Sequence, residues 1–184
     1  MTAPNRVLVR DAGPQDFDSI VRIYGHHVLY GLASFEEVPP DRTEIEARFQ
    51  AIRARGLPYL AAELDGEVLG YAYAGPFRSR PGYRFSVENS VYVAAEACCM
   101  GIRGALLEVL IARCTALGYR QMIAVIGDSG NRASIRLHES KGFVRVGTIA
   151  DVGFKLGRWV DSVTMQLPLG EGASSLPTEP PRGT

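Results

Sequence analysis

Residues 85–126 read FSVENSVYVAAEACCMGIRGALLEVLIARCTALGYRQMIAVI, and the fold is decided here. Phe85 to Val93 has the extended character of a strand. Gly101 to Leu117 carries the strongest helical period in the chain, because Ile102, Ala105, Leu106, Val109, Leu110, Cys114 and Leu117 recur every three or four positions and Gly118 follows as a stop. Gln121 to Ile126 is a nearly unbroken apolar run, the mark of a strand covered on both faces. A strand, a helix and a buried strand in that order make a parallel crossover, so an α/β or α+β domain around one sheet is predicted.

Upstream, Tyr59 to Leu64 and Glu67 to Ala74 flank Asp65-Gly66, a pair that supplies the positive φ angles of a tight hairpin. Val7 to Arg10 reads as a first strand, and Pro14 suits the first turn of a helix bearing Phe17, Ile20, Val21, Tyr24 and Val28, which Gly31 ends. A second helix starts near Thr43 and stops at Gly56, and LASFEEVPPD between the two helices reads as a loop. Downstream, Asp128 to Asn131 turns into a helix with Asn131 as N-cap, running to Lys141 and closed by Gly142. Strands around Phe143 to Ile149 and Val160 to Leu167 complete a domain over residues 1–169. Residues 170–184, GEGASSLPTEPPRGT, have almost nothing to bury and are expected to be a disordered tail.

The chain has 184 residues, 46% of them hydrophobic, which suits one domain with a sizeable core. Twenty basic and 20 acidic side chains leave no net charge, so the electrostatic footprint of a nucleic-acid or membrane-surface binder is missing. Three cysteines, two of them adjacent, lack the paired spacing of a zinc site, and no metal is expected. With neither an export signal nor an apolar run near the roughly 20 residues of a membrane span, the predicted location is the cytoplasm.

Several segments have side chains capable of chemistry. Glu88 lies inside a strand whose alternation sets Glu88, Ser90 and Tyr92 on one face and Val87, Asn89, Val91 and Val93 on the other. A carboxylate there is either paired or working as a base, or it sits on a solvated face. Arg78, Arg80 and Arg84 cluster in the preceding loop, where they are either solvated or a grip for a carboxylate or phosphinate. His26 and His27 read as structural or exposed. His138 falls one turn after Ser134 and two after Asn131, so the three share a helix face. CCMGIRGALL places a glycine turn at a helix N-terminus, which has the N–H groups and dipole to hold a phosphate but also reads as a plain connection.

Taken together, VLVRDAGPQD, EVLGYAYAGPFRSRPGYRFSVENSVYV, QMIAVIGDSGNRASIRLHESKGF and VGFKLGRWVDSVTMQ resemble the GNAT superfamily of N-acetyltransferases, within it the phosphinothricin and methionine sulfoximine acetyltransferase branch. The resemblance spans roughly Val7 to Leu169. It implies a mixed, strongly twisted sheet with helices on both faces and direct transfer of acetyl from acetyl-CoA to a primary amine. Under it, Glu88 matches the general base and His138 occupies a position from which a thiolate could take a proton. Val91, Tyr92 and Val93 match the splayed strand beside the pantetheine arm. Cys99, Met100, Gly101, Ile102, Arg103 and Gly104 match the pyrophosphate loop, with Asn131 and Ser134 also on the coenzyme. Arg78, Ser79, Arg80 and Arg84, together with Glu88, Asn89 and Ser90, would line the acceptor site. A homodimer, to which Phe154 to Trp159 could contribute, is the branch's common assembly.

The pyrophosphate loop departs from the family pattern of Arg or Gln, two residues, Gly, one residue, then Gly or Ala. Here it reads Cys98, Cys99, Met100, Gly101, Ile102, Arg103, and Arg103-Gly104 transposes the usual Gly-Arg. A side chain thus stands where backbone normally approaches the diphosphate, so weaker acetyl-CoA binding than in a standard relative is expected. Two other readings stay open: an acetyltransferase for a polyamine, peptide amino terminus or other amine, and a relative that binds acyl-CoA without turnover.

Overall fold

The computed structural model describes residues 7–98 and 100–182. In chain order its elements are β1 (Leu8–Asp11), α1 (Phe17–Tyr30), α2 (Arg42–Arg53), β2 (Tyr59–Leu64), β3 (Glu67–Pro76), β4 (Ser86–Val93), α3 (Ile102–Ala116), β5 (Gln121–Gly127), α4 (Arg132–Ser140), β6 (Val144–Lys155) and β7 (Arg158–Pro168). They build one sheet in the order β1-β2-β3-β4-β5-β7-β6. Neighbours are antiparallel except β4 and β5, the pair joined by the α3 crossover.

Local chemistry accounts for the joints. Asp65 and Gly66 both have positive φ, 53° and 84°, as a two-residue hairpin of the primed type requires. Asn131 caps α4 by accepting from Ser134 N at 3.2 Å. Helices cover both faces. Phe49 of α2 packs edge-on to Tyr59 at 5.1 Å and Tyr24 of α1 to Tyr92 at 4.9 Å, so α1 and α2 lie on the tyrosine face. On the other face α3 sits against β3 and β4 through Leu106, Leu107 and Leu110, all fully buried.

Two expectations need correction. The last two strands are longer than predicted: β6 runs on to Lys155 and β7 begins at Arg158, joined by Leu156 and Gly157 with φ of 50° and 75°. Leucine carries no turn signal, so that hairpin is invisible in the sequence; shifts in the β6 register after Arg145 and Ile149 hide it further. The tail differs as well. Leu169 N donates to Arg120 O and Arg182 N to Leu117 O, both at 2.9 Å, while the Arg120 guanidinium reaches Glu171, Gly172 O and Ser175. Polar contacts and a buried Pro181, rather than an apolar stripe, place residues 170–182 against the domain.

Candidate active site

The site begins where the parallel pair comes apart. Ser86, Val87, Glu88 and Asn89 pair with Gln121 to Ala124, and there the pairing ends. Ser90 to Val93 continue along β3 alone, while β5 goes on with β7. One edge of β4 therefore presents backbone groups that β5 does not satisfy, and buried backbone groups require partners. His27 meets one of them, its Nε2–H donating to the Val93 carbonyl at 2.9 Å. The rest remain open to an extended ligand that carries its own donors and acceptors.

The opening is a cavity of about 510 Å³. It gathers Glu88, Asn89, Ser90, Val91, Tyr92, Arg103, Asn131, Ser134 and His138 from β4, α3 and the capped helix α4. Val93 lies just behind its wall, fully buried. The loop between α1 and α2 forms one side, with Ser34, Phe35 and Glu36 facing in. That loop is tightly held. A Cβ on Gly127 would stand 2.0 Å from Leu32 O, and Lys155, 2% exposed, donates through Nζ to Ser34 O at 2.6 Å. Burial lowers the Lys155 pKa, with Glu37 and Glu36 pulling it back. The sequence reading of His27 as structural or exposed does not reach its contact with Val93, and nothing in the sequence marks Glu36 or Lys155; no local spacing marks contacts made across 66 or 121 residues.

At the end of the opening, Gly101 takes φ 77°, the left-handed conformation glycine allows freely, and turns the chain into α3. The first helical hydrogen bond is Ala105 N to Gly101 O, so the amides of Ile102, Arg103 and Gly104 precede the helical ladder and carry the positive end of its dipole. Met100 is exposed beside them. Cys99 lies outside the described residues. Arg103 is half-buried and turned into the cavity wall, near enough to His27 to help lower that ring's pKa after burial, the main cause.

Glu88 and Asn89 are neighbours with opposite surroundings. The Glu88 carboxylate is half-buried on the tyrosine face with no hydrogen bond or ion pair among the described residues, and burial raises its pKa. Asn89 points to the α3 and α4 face. Its Nδ2 donates to Ile123 O at 3.3 Å, and its Oδ1 lies 3.1 Å from His138 Nε2. The structure thus places Asn89 against His138 and not among the arginines with which it was grouped. His138 Nδ1 is 2.8 Å from Ser134 O, and Phe143 packs edge-on to the ring at 4.9 Å. Burial pushes the His138 pKa down, against the pull of the Ser134 carbonyl.

Arg78, Ser79, Arg80 and Arg84 line a second cavity, of about 670 Å³, floored by Tyr59, Tyr71 and Tyr73. Arg78 stacks between Phe77 and Tyr83, 5.1 and 5.4 Å from the ring centres, which fixes its otherwise flexible fork. Arg48 and Arg55 stand on the opposite bank. Arg48 is committed to Glu36 and Glu44; desolvation pushes the Glu36 carboxyl up, but hydrogen bonds from Arg48 and Tyr24 outweigh it and hold the pKa low. Tyr73 lines both cavities. It forms the common wall between the Glu88 carboxylate and the arginines.

A family model described as an acetyltransferase (GNAT) domain matches residues 9–164. A phosphinothricin N-acetyltransferase of Alcaligenes faecalis is 53% identical over 169 residues, 92% of this chain and 86% of that protein. An L-methionine sulfoximine/L-methionine sulfone acetyltransferase of Pseudomonas paraeruginosa is 43% identical over 162 residues, 88% of this chain and 94% of that one. Among solved structures, a phosphinothricin acetyltransferase of Sinorhizobium meliloti in complex with AcCoA superposes with a TM-score of 0.93 at 48% identity, covering 96% of this chain and 95% of that one. With a sheet that opens between its two parallel strands and a match of this extent, the chain belongs to the GNAT family of N-acetyltransferases.

Proposed function

We propose that this enzyme acetylates the primary amine of a small amino acid or analogue bearing an anionic end, of the phosphinothricin or methionine sulfoximine kind, with acetyl-CoA as donor. The observation that carries this reading is the arginine-lined cavity separated by one tyrosine from a half-buried carboxylate that has no partner among the described residues. Arg78, Arg80 and Arg84 receive the anionic end, for which their planar forks are suited. The same charges disfavour a polyamine.

Acetyl-CoA supplies the activated acyl group. Its pantetheine would pair with the free edge at Val91 to Val93, and its diphosphate would meet the amides that open α3, with Arg103 alongside. Asn131 and Ser134 border the same opening. Glu88 takes a proton from the acceptor ammonium, directly or through one water; an α-amino group titrates near ~8, so a raised carboxylate is base enough. The amine nitrogen then bonds to the acyl carbon, the tetrahedral adduct gives up its second N–H proton to solvent, the carbon–sulfur bond breaks, and His138 delivers a proton to the departing thiolate. An N–H of the splayed strand stabilises the oxyanion. No side chain becomes acylated.

Two further features belong to this reading. Val146, Ile149, Val152, Phe154, Leu156 and Trp159 leave an apolar face exposed on and beside the edge strand β6, which a second copy would cover; light scattering that finds a dimer in wild type and a monomer in Phe154→Glu supports the assembly. Free thiols at Cys98 and Cys114 suit the cytoplasm, and no helix among the described residues is long and apolar enough to cross a membrane.

The decisive experiment is thiol release from acetyl-CoA against phosphinothricin, methionine sulfoximine, ordinary amino acids and spermidine, beside Glu88→Gln. Turnover with an anionic amino-acid analogue that collapses in the variant is expected. Faster turnover with spermidine would overturn the acceptor assignment.

A further inference from the structure

Asn89 occupies the last parallel rung, opposite Ala124, and is 7% exposed. A carbonyl oxygen only accepts, so the Ile123 carbonyl fixes which way the Asn89 amide faces; turned over, it would set oxygen against oxygen. With Oδ1 directed at the ring, His138 Nε2 must carry a hydrogen to make that contact. The Ser134 carbonyl demands one on Nδ1 as well. A neutral imidazole has a single N–H, so one of its two contacts must oppose an oxygen to a lone pair. Only the imidazolium satisfies both.

The other groups around the ring do not supply this effect. Glu88 on β4, His27 on α1, Arg103 on α3 and Glu36 in the α1–α2 loop line the same cavity, and none of them hydrogen-bonds the ring. β5 offers Ala124, Val125 and Ile126, and Phe143 offers a ring edge. Glu139 and Lys141 flank the end of α4, with Lys141 bonded to Glu108.

We infer that Asn89 is a positioning residue that makes the doubly protonated ring the only fully paired form of His138, and so holds a proton where the thiolate departs. The inference rests on the acid role proposed for His138. On transfer, Nε2 gives its proton to sulfur and Nδ1–H stays on the Ser134 carbonyl. Oδ1 of Asn89 then faces a lone pair, which favours reprotonation from solvent.

The test follows the His138 ring by NMR in histidine-labelled enzyme, assigned with His138→Gln, beside the pH profile of kcat. In Asn89→Leu the His138 midpoint should fall by about one pH unit, and the alkaline limb of kcat should fall with it, lowering turnover above that limb about tenfold. Asn89→Asp, which keeps an acceptor toward the ring and adds a negative charge while losing the donor to the Ile123 carbonyl, should bring both back to or above the wild-type values. An unchanged midpoint in Asn89→Leu overturns the inference. A midpoint that moves while the limb stays put overturns instead the acid role of His138, and the two failures are thereby told apart. Should Asn89→Leu not fold, Asn89→Ser shortens the reach of the oxygen and gives the same comparison.

Discussion

Glu88 and Asn89 are consecutive residues of one strand and share almost nothing else. Glu88 faces the tyrosines, half-buried and without a partner among the described residues, its pKa raised by burial. Asn89 faces α4, buried and bonded at both ends of its amide. The pleat sends neighbours to opposite faces, so under the proposed function a single strand would serve the acceptor amine on one side and the leaving thiol on the other. Unpaired polarity suits a residue that exchanges protons with a substrate, the role proposed for Glu88; saturated polarity suits one that holds another in place, the role proposed for Asn89.

Breaking the Glu88 side should have the largest consequence. Glu88→Gln is expected to cut kcat by roughly 10²–10⁴-fold, the range for losing a general base, with acetyl-CoA affinity by calorimetry unchanged. It should also raise the melting temperature at neutral pH. Because the folded pKa of Glu88 lies above the unfolded one, the native state holds its proton more tightly, and stability falls as pH rises from the unfolded value through the raised one. The variant escapes that loss, so a melting temperature lower than wild type at pH 7 would contradict an uncompensated carboxylate.

Next comes the wall beyond Tyr73. Arg78→Ala or Arg84→Ala should raise KM for anionic acceptors by about tenfold or more, as loss of a charge-assisted hydrogen bond does, with little change for a neutral amine. A uniform loss over all acceptors would move the arginines out of the acceptor site. Gly127→Ala tests whether the loop over the opening must stay where it is. Its Cβ would collide with Leu32 O, and overpacking of this kind costs about 1–3 kcal/mol, so a lower melting temperature should accompany a loss in kcat/KM. The smallest effect sharpens the coenzyme side. Cys98→Arg, Arg103→Gly and Gly104→Arg together restore the family pattern and should tighten acetyl-CoA binding by about three- to tenfold, the scale of one charge-assisted contact. Calorimetry without any gain would make the departure inconsequential.

Much of this was legible in the chain because its signals are local. Asp65-Gly66 states a turn, Asn131 states a cap, and the repeat from Ile102 to Leu117 states a helix that must lie on a sheet. Alternation alone set Glu88 and Asn89 on different faces. Other features were not legible. The Leu156-Gly157 hairpin has no turn residue at its first position, and the family resemblance groups Asn89 with the arginines although the pleat turns its side chain to the other face.

Periodicity, caps and turn chemistry act over a few residues, so most of the elements, the crossover and the residue types that acetyl transfer needs were fixed locally in the chain. Tertiary structure decided where β4 and β5 part, that His27 reaches Val93 and Lys155 reaches Ser34, and that one asparagine meets one histidine 49 positions away. Those depend on which groups lose water and which oxygen meets which hydrogen, and only the packed chain fixes that.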